Sequence, residues 1–158
     1  MATRTSAGIL LFRHRNGRLE VLLGHPGGPF FTRRDAGYWT IPKGEVDPDE
    51  ELLAVARREF EEETGQAAPD GDAIPLGSIV QKGGKTVHAW ALEGNLDPAR
   101  SVSNTFEMTW PQGSGRRESF PEIDRVEWFD PAEARHRVKA TQIPLIDRLE
   151  AALGCATR

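Results

Sequence analysis

The chain has 158 residues, 28% of them charged, with 20 basic against 24 acidic side chains and a net charge of −4. That length fits one domain, residues 1–158, with a core of its own, and the balance excludes the basic excess of a general nucleic-acid or membrane-surface binder. The lone cysteine, Cys155, cannot form an internal disulfide, so nothing in the fold depends on an oxidising compartment.

The first apolar run, Ala7–Phe12, is too short to span a membrane and lacks the order of a signal peptide. The expectation is a cytoplasmic protein with no membrane partner. A second run, Leu19–Leu23, follows Asn16-Gly17, a hairpin signal, although the residues between the apolar runs are too many for the tightest turn. The turn-formers of His25–Pro29 open a loop without helical content, and Tyr38–Pro42 reads as a short strand. Asp47 as N-cap, Pro48 at the first position and Glu50 as partner of an Asp-x-x-Glu capping box predict a helix start. Good helix formers run from Glu50 to Glu63, and Gly65 stands where a left-handed cap belongs. After a connector at Ala67–Ala73, strands are predicted at Ile74–Gln81 and Lys85–Leu92, around Gly83-Gly84. Residues 93–122 are polar and turn-rich, with one strand expected at Thr105–Trp110. Another strand follows at Arg125–Phe129, then a short helix opening at Asp130-Pro131 and a longer one from about Thr141 to Leu153. The order suggests a mixed sheet packed between helices.

At about 100° per residue, Leu52, Leu53, Ala56 and Phe60 share one arc of the predicted helix and face the core. Glu59, Glu62 and Glu63 share a neighbouring arc. Like charges at i, i+3 and i+4 each destabilise a helix by roughly 0.2–0.5 kcal/mol, and the C-terminal end of the helix dipole adds to the repulsion. Such a cluster is either a solvated acidic face, relieved by Arg57 toward Glu61 and Arg58 toward Glu62, or a site for a hard cation. Oxygen-only ligands with room for phosphates suit Mg²⁺, and the absence of His or Cys beside the glutamates argues against zinc.

Gly44, Glu50, Arg58, Glu59, Phe60, Glu62, Glu63 and Gly65 stand as G-x5-E-x7-R-E-U-x-E-E-x-G, U being a bulky apolar residue. This resembles the signature of the Nudix (MutT-type) hydrolases over its whole span, preceded by a matching Ile41-Pro42-Lys43-Gly44. It departs at Gln66, where the family usually has an aliphatic residue. The resemblance implies an α/β fold, a Nudix-type α/β/α sandwich with a mixed β-sheet, and a pyrophosphohydrolase using Mg²⁺, with Mn²⁺ able to substitute. Carried over, Glu59, Glu62 and Glu63 are metal ligands, the Gly44 carbonyl adds another, and Arg58 and Glu50 orient Glu62 and the loop. Glu122, six residues ahead of Trp128, is the candidate further ligand or general base, with Glu118 in reserve. Lys43, Lys82 and Lys85 are candidates for binding the phosphates of a nucleotide substrate.

The run Lys85-Thr86-Val87-His88-Ala89-Trp90 resembles the corresponding strand of the family's diadenosine tetraphosphate hydrolases, so a diadenosine polyphosphate is the expected substrate. ADP-ribose or a nucleotide sugar, a (d)NTP, and a module that senses a nucleotide without cutting it are the alternatives. Trp110, Phe30 and Phe31 are candidates for stacking on a base, whereas Trp39, Trp90 and Trp128 are expected in the core. The oligomeric state is not specified by the sequence, and residues 93–122 are compatible with either a lid or a surface loop.

Overall fold

The computed structural model describes residues 4–154; Cys155 lies outside the described residues. Strand β1 (Thr5–Arg15) carries an apolar run whose side chains alternate between two cores. Leu10 and Phe12 join one buried cluster and Ile9 and Leu11 the other. A strand covered on both faces reads as a continuous apolar run, because neither face meets water.

Strand β2 (Arg18–Pro26) returns antiparallel to β1, with Arg15 opposite Arg18. Both strands therefore run past their apolar stretches, and the connection shrinks to Asn16 and Gly17, each with positive φ. This corrects the longer turn expected from the apolar runs: inter-strand hydrogen bonds carry the charged residues 13–15 and Arg18 into the ladder. The next strand, β3 (Lys43–Glu45), pairs with the start of β1. The strand expected at Tyr38–Pro42 is replaced by isolated bridges, Thr40 to Gly24 and Trp39 to Val138. Trp39, fully buried, is drawn into the core, where its ring packs edge-on against His25 and Phe129.

Helix α1 (Leu52–Thr64) follows, with Glu51 as N-cap and Gly65 in the left-handed conformation at its end, its N–H bonded to the Glu61 carbonyl. The predicted cap at Asp47 is not the helix start. Asp47–Glu50 is a separate turn, in which the Asp47 N–H donates to Glu50 Oε1 at 3.0 Å, while Arg58 takes the other carboxylate oxygen from the helix side. Val55, Ala56 and Phe60 are buried, and Leu52 and Leu53 are partly buried against the same core.

Strands β4 (Ile74–Val80) and β5 (Thr86–Glu93) form a hairpin, and β5 runs parallel to β1. With β8 (Ile123–Phe129) at the far edge, the order is β4-β5-β1-β2-β8, with β3 beside β1: a mixed sheet. Strand β6 (Thr105–Thr109) pairs with β7 (Arg117–Pro121) in a separate two-stranded arm. Strand β7 escaped the sequence reading because its polar residues lack an apolar period. Helix α2 (Pro131–Arg137) is capped by Asp130, and α3 (Ile143–Ala152) follows a short 3₁₀ turn, Ala140–Gln142. Ala134, Leu145, Ile146 and Leu149 from these helices close one face of the sheet, while α1 closes the other. The result is an α/β/α sandwich. Among the described residues no helix is long and apolar enough to cross a membrane.

Candidate metal and phosphate site

Three segments meet beside the middle of the sheet: β3, the second half of α1, and the junction between β7 and β8. Pairing of β3 with β1 fixes Gly44 under α1, and burial of Phe60 fixes the rotation of the helix. Glu59, Glu62 and Glu63 are then set on the side that faces the β3 loop and its edge.

Glu63 is only 8% exposed, and its Oε1 accepts the Lys43 backbone N–H at 3.3 Å. Burial, reinforced by the charges of Glu59 and Glu122, pushes its carboxyl up to about 8. Glu59 is pushed up to about 7, first by burial and then by a hydrogen bond and charge repulsion from Glu62, as when two carboxylates share a proton. Of the two readings of the cluster, a solvated acidic face does not hold for Glu63, which is inside the protein because β3 comes close to this side of α1.

Gly44 meets Glu59 closely. A Cβ at Gly44 would lie 2.0 Å from Glu59 Oε1, so only glycine lets this carboxylate lie against the loop backbone. Arg58 braces the cluster from outside. It hydrogen-bonds Glu50, with Glu59 at 3.6 Å and Glu62 at 3.9 Å. The guanidinium holds the Glu50 carboxyl below the usual range, helped by the Asp47 N–H. Arg57 does not pair with Glu61 as expected; it donates to the carbonyls of Pro69 and Gly71 and secures the connector after the helix.

Among the described residues no three acidic, histidine or cysteine side chains converge on one point with ligand geometry. Glu59 is turned to Glu62 and Glu63 to the Lys43 backbone. The donor set nonetheless fits a hard cation: it is all oxygen, and two of its carboxylates are held in surroundings that disfavour their charge until an opposite charge arrives.

Glu122 is exposed at the entry to β8, where its backbone bonds both Asn104 and Gly27. Its charge reaches Glu63. Glu118 lies on the exposed face of β7, opposite Met108 in the arm.

A second group, of opposite sign, adjoins the carboxylates. Burial, with repulsion from Lys139 and Lys85, lowers the Lys43 ammonium to about 8. Lys85 lies 3.6 Å from Glu45, and Lys82 is exposed on the rim of a pocket of about 470 Å³. Lys139, which the sequence reading missed, lines that pocket, and burial followed by repulsion from Lys85 lowers its pKa. No local motif marks it. Trp128 and Trp90 pack against the core as expected, whereas Phe30, half-exposed, meets Trp110 edge-on at 5.5 Å.

Another arrangement without a local signal secures the long loop after β2. His25 is buried, with Nδ1 2.8 Å from Asp124 Oδ1 and Nε2 2.6 Å from the Arg34 carbonyl. A carbonyl only accepts, so Nε2 is the donor to Arg34.

Comparison with known proteins gives one family model that matches, the NUDIX domain, over residues 2–149. The chain is 43% identical over 104 residues to the asymmetrical bis(5′-nucleosyl)-tetraphosphatase of Rattus norvegicus, covering 59% of this chain and 66% of that protein. It is 39% identical over 66 residues to an RNA pyrophosphohydrolase of Bartonella henselae, covering 39% of this chain and 35% of that one. The chain thus spans just under two thirds and about one third of these relatives' lengths. Among solved structures, an Ap4A hydrolase from C. elegans in a binary complex superposes with a TM-score of 0.66 at 22% identity, covering 98% of this chain and all of that one. That likeness shows the shared fold.

Proposed function

The chain belongs to the Nudix family, and from that premise we propose that it hydrolyses a pyrophosphate bond in a nucleoside diphosphate derivative, with a dinucleoside polyphosphate as substrate. The observation that carries this reading is the juxtaposition of opposite charges: a crowded carboxylate cluster on α1 beside Lys43, whose ammonium is in turn within electrostatic reach of Lys85 and Lys139. Carboxylates alone suit a cation and lysines alone an anion. Together they suit a polyphosphate bound as its magnesium complex.

Glu59, Glu62, Glu63 and the Gly44 carbonyl would hold Mg²⁺, with Arg58 and Glu50 keeping the carboxylates and the loop in place. Bound Mg²⁺ supplies neutralisation of phosphate charge and a lowered pKa for water. Glu122 accepts the proton of the attacking water, a role open to an exposed carboxylate within reach of the cluster. Lys43, Lys82 and Lys85 neutralise the oxygens of the phosphate chain, which favours departure of the leaving phosphate. The identity to the rodent tetraphosphatase supports the choice of a dinucleoside polyphosphate over a (d)NTP.

The test is product analysis with Mg²⁺ on diadenosine tetra- to hexaphosphate, ADP-ribose, a nucleotide sugar and dNTPs. Preferential cleavage of the dinucleoside polyphosphates, with ATP among the products, is expected. Preference for another member of the panel overturns the substrate reading, and binding without cleavage of any member overturns the hydrolase.

A further inference from the structure

Glu122, to which the proposed reaction gives the proton of the attacking water, stands at the junction of β7 and β8, where the two-stranded arm meets the main sheet. Its side chain is exposed and has no hydrogen-bond or ion-pair partner among the described residues. A base that no neighbour holds by its carboxylate is placed through its backbone, and placement decides how much such a group contributes to a rate.

That backbone is held on both sides. The Glu122 N–H donates to the Asn104 carbonyl at 2.9 Å, and the Glu122 carbonyl accepts the Gly27 N–H at 2.9 Å. The next amide, Ile123 N–H, donates to Ser103 Oγ at 3.1 Å, and the Ser103 hydroxyl donates in turn to the Asn104 carbonyl at 2.9 Å. The amides on either side of the Glu122 Cα therefore converge on one dipeptide, Ser103-Asn104. Opposite them, Gly27 comes so close that a Cβ there would lie 1.9 Å from the Pro121 carbonyl oxygen.

The same short segment is fastened to α1. Asn104 N–H donates to the Glu62 carbonyl at 2.7 Å, and Val102 N–H to the Thr64 carbonyl at 2.9 Å. The last carbonyls of a helix have no partner inside it, and here alternate residues of a crossing segment supply the missing donors. Ser103, between them, turns its side chain the other way, to Ile123. Through Asn104 the main chain of Glu62, a proposed metal ligand, is joined by two successive hydrogen bonds to the main chain of Glu122.

We infer that Ser103 is a positioning residue for the hydrolysis: its hydroxyl ties the amide after Glu122 to the segment fastened on α1, and so sets where the Glu122 carboxylate stands relative to the carboxylates of the helix. The inference rests on the hydrolase reading and on Glu122 as its base. The other links of this bridge are main-chain bonds, which a side-chain substitution leaves in place. Alanine at position 103 removes the hydroxyl alone, and threonine keeps it.

Steady-state kinetics with Mg²⁺ are measured for the wild type, Ser103→Ala, Ser103→Thr, Glu122→Gln and the double variant S103A/E122Q. The substrate is whichever compound of the panel above the wild type cleaves fastest. Far-UV circular dichroism and thermal melts check each variant's fold. S103A is expected to lower kcat roughly tenfold, part of the hundredfold or more that a general base contributes, with KM within about twofold of wild type. S103T recovers most of the loss. In the E122Q background, where no base is left to place, S103A should cost less than about twofold, whereas a merely structural role would lower both backgrounds alike. Near-wild-type kcat in S103A, an equal loss in both backgrounds, or a loss in S103T as large as in S103A overturns the inference while the hydrolase stands. Wild-type kcat in E122Q removes the base, and the inference with it. A wild type that cleaves no member of the panel overturns the hydrolase reading itself, and the positioning role falls with it.

Discussion

Removing divalent ions should make the stability of this protein fall as pH rises through neutrality, and Glu63 is the group that sets the size of the effect. Its carboxyl has an ordinary value of 4.5 and is pushed up to about 8 in the folded chain by burial and by the neighbouring carboxylates. The folded state therefore holds this proton more tightly than the unfolded state does. The resulting stabilisation is greatest at or below pH 4.5 and is lost as pH rises through about 8. Between pH 6 and pH 8 the loss from Glu63 alone is about 2 kcal/mol, or roughly 5 °C in Tm for a chain of this length. Glu59, pushed up to about 7, acts in the same direction. On the proposed function Mg²⁺ would bind the ionised carboxylates of the folded state, so it should raise Tm more at pH 8 than at pH 6. Thermal melts at both pH values, in EDTA and in excess Mg²⁺, measure both effects, and Glu63→Gln should flatten the EDTA slope. A Tm in EDTA that is level or rises from pH 6 to pH 8, or a magnesium shift equal at both, would refute the reasoning.

Glu62→Gln should lower turnover with Mg²⁺ roughly a hundredfold or more, the scale of several kcal/mol of transition-state stabilisation. The melting curve should survive because the side chain is 43% exposed; activity near wild type refutes its role as a ligand. Gly44→Ala should weaken Mn²⁺ binding, read by electron paramagnetic resonance, by about tenfold or more, since its Cβ would occupy the place of the Glu59 carboxylate. Unchanged Mn²⁺ affinity would show that Glu59 and this loop act separately. Asp124→Ala deprives buried His25 of its Nδ1 partner, and urea unfolding should record a loss of about 1–3 kcal/mol. A change within about 0.5 kcal/mol, the ordinary range for a surface substitution, would mean that the pair does not hold the loop.

Helix α1 shows how far local reading reaches. Its rotation, its glycine cap and the placement of three glutamates on one side follow from the helical period, which relates residues within two turns of one another. Its start did not, because Glu50 is claimed by Arg58 from the next turn but one and by the Asp47 N–H, and this competition replaces the simple capping box. The burial of Glu63 is likewise beyond the period, since it depends on how close β3 comes to the helix.

The basic half of the candidate site divides in the same way. Lys43, Lys82 and Lys85 were legible because they flank recognisable strands and the signature's lead-in. Lys139 and Gln142 stand in a short 3₁₀ connection with no pattern of their own, and Gln142 meets Thr40 across 102 positions of chain. Asp124 meets His25 across 99.

By itself the sequence determined most strands and helices of the sandwich, the acidic face of α1 and the spacing that marks the family, since each depends on neighbours within a few residues. Only the tertiary structure decided which carboxylates lose their water, which lysines lack a counter-charge and where the pocket lined by Lys82 and Lys139 opens. Burial and electrostatic pairing depend on distances between segments, and those distances exist only after the sheet has assembled around β1.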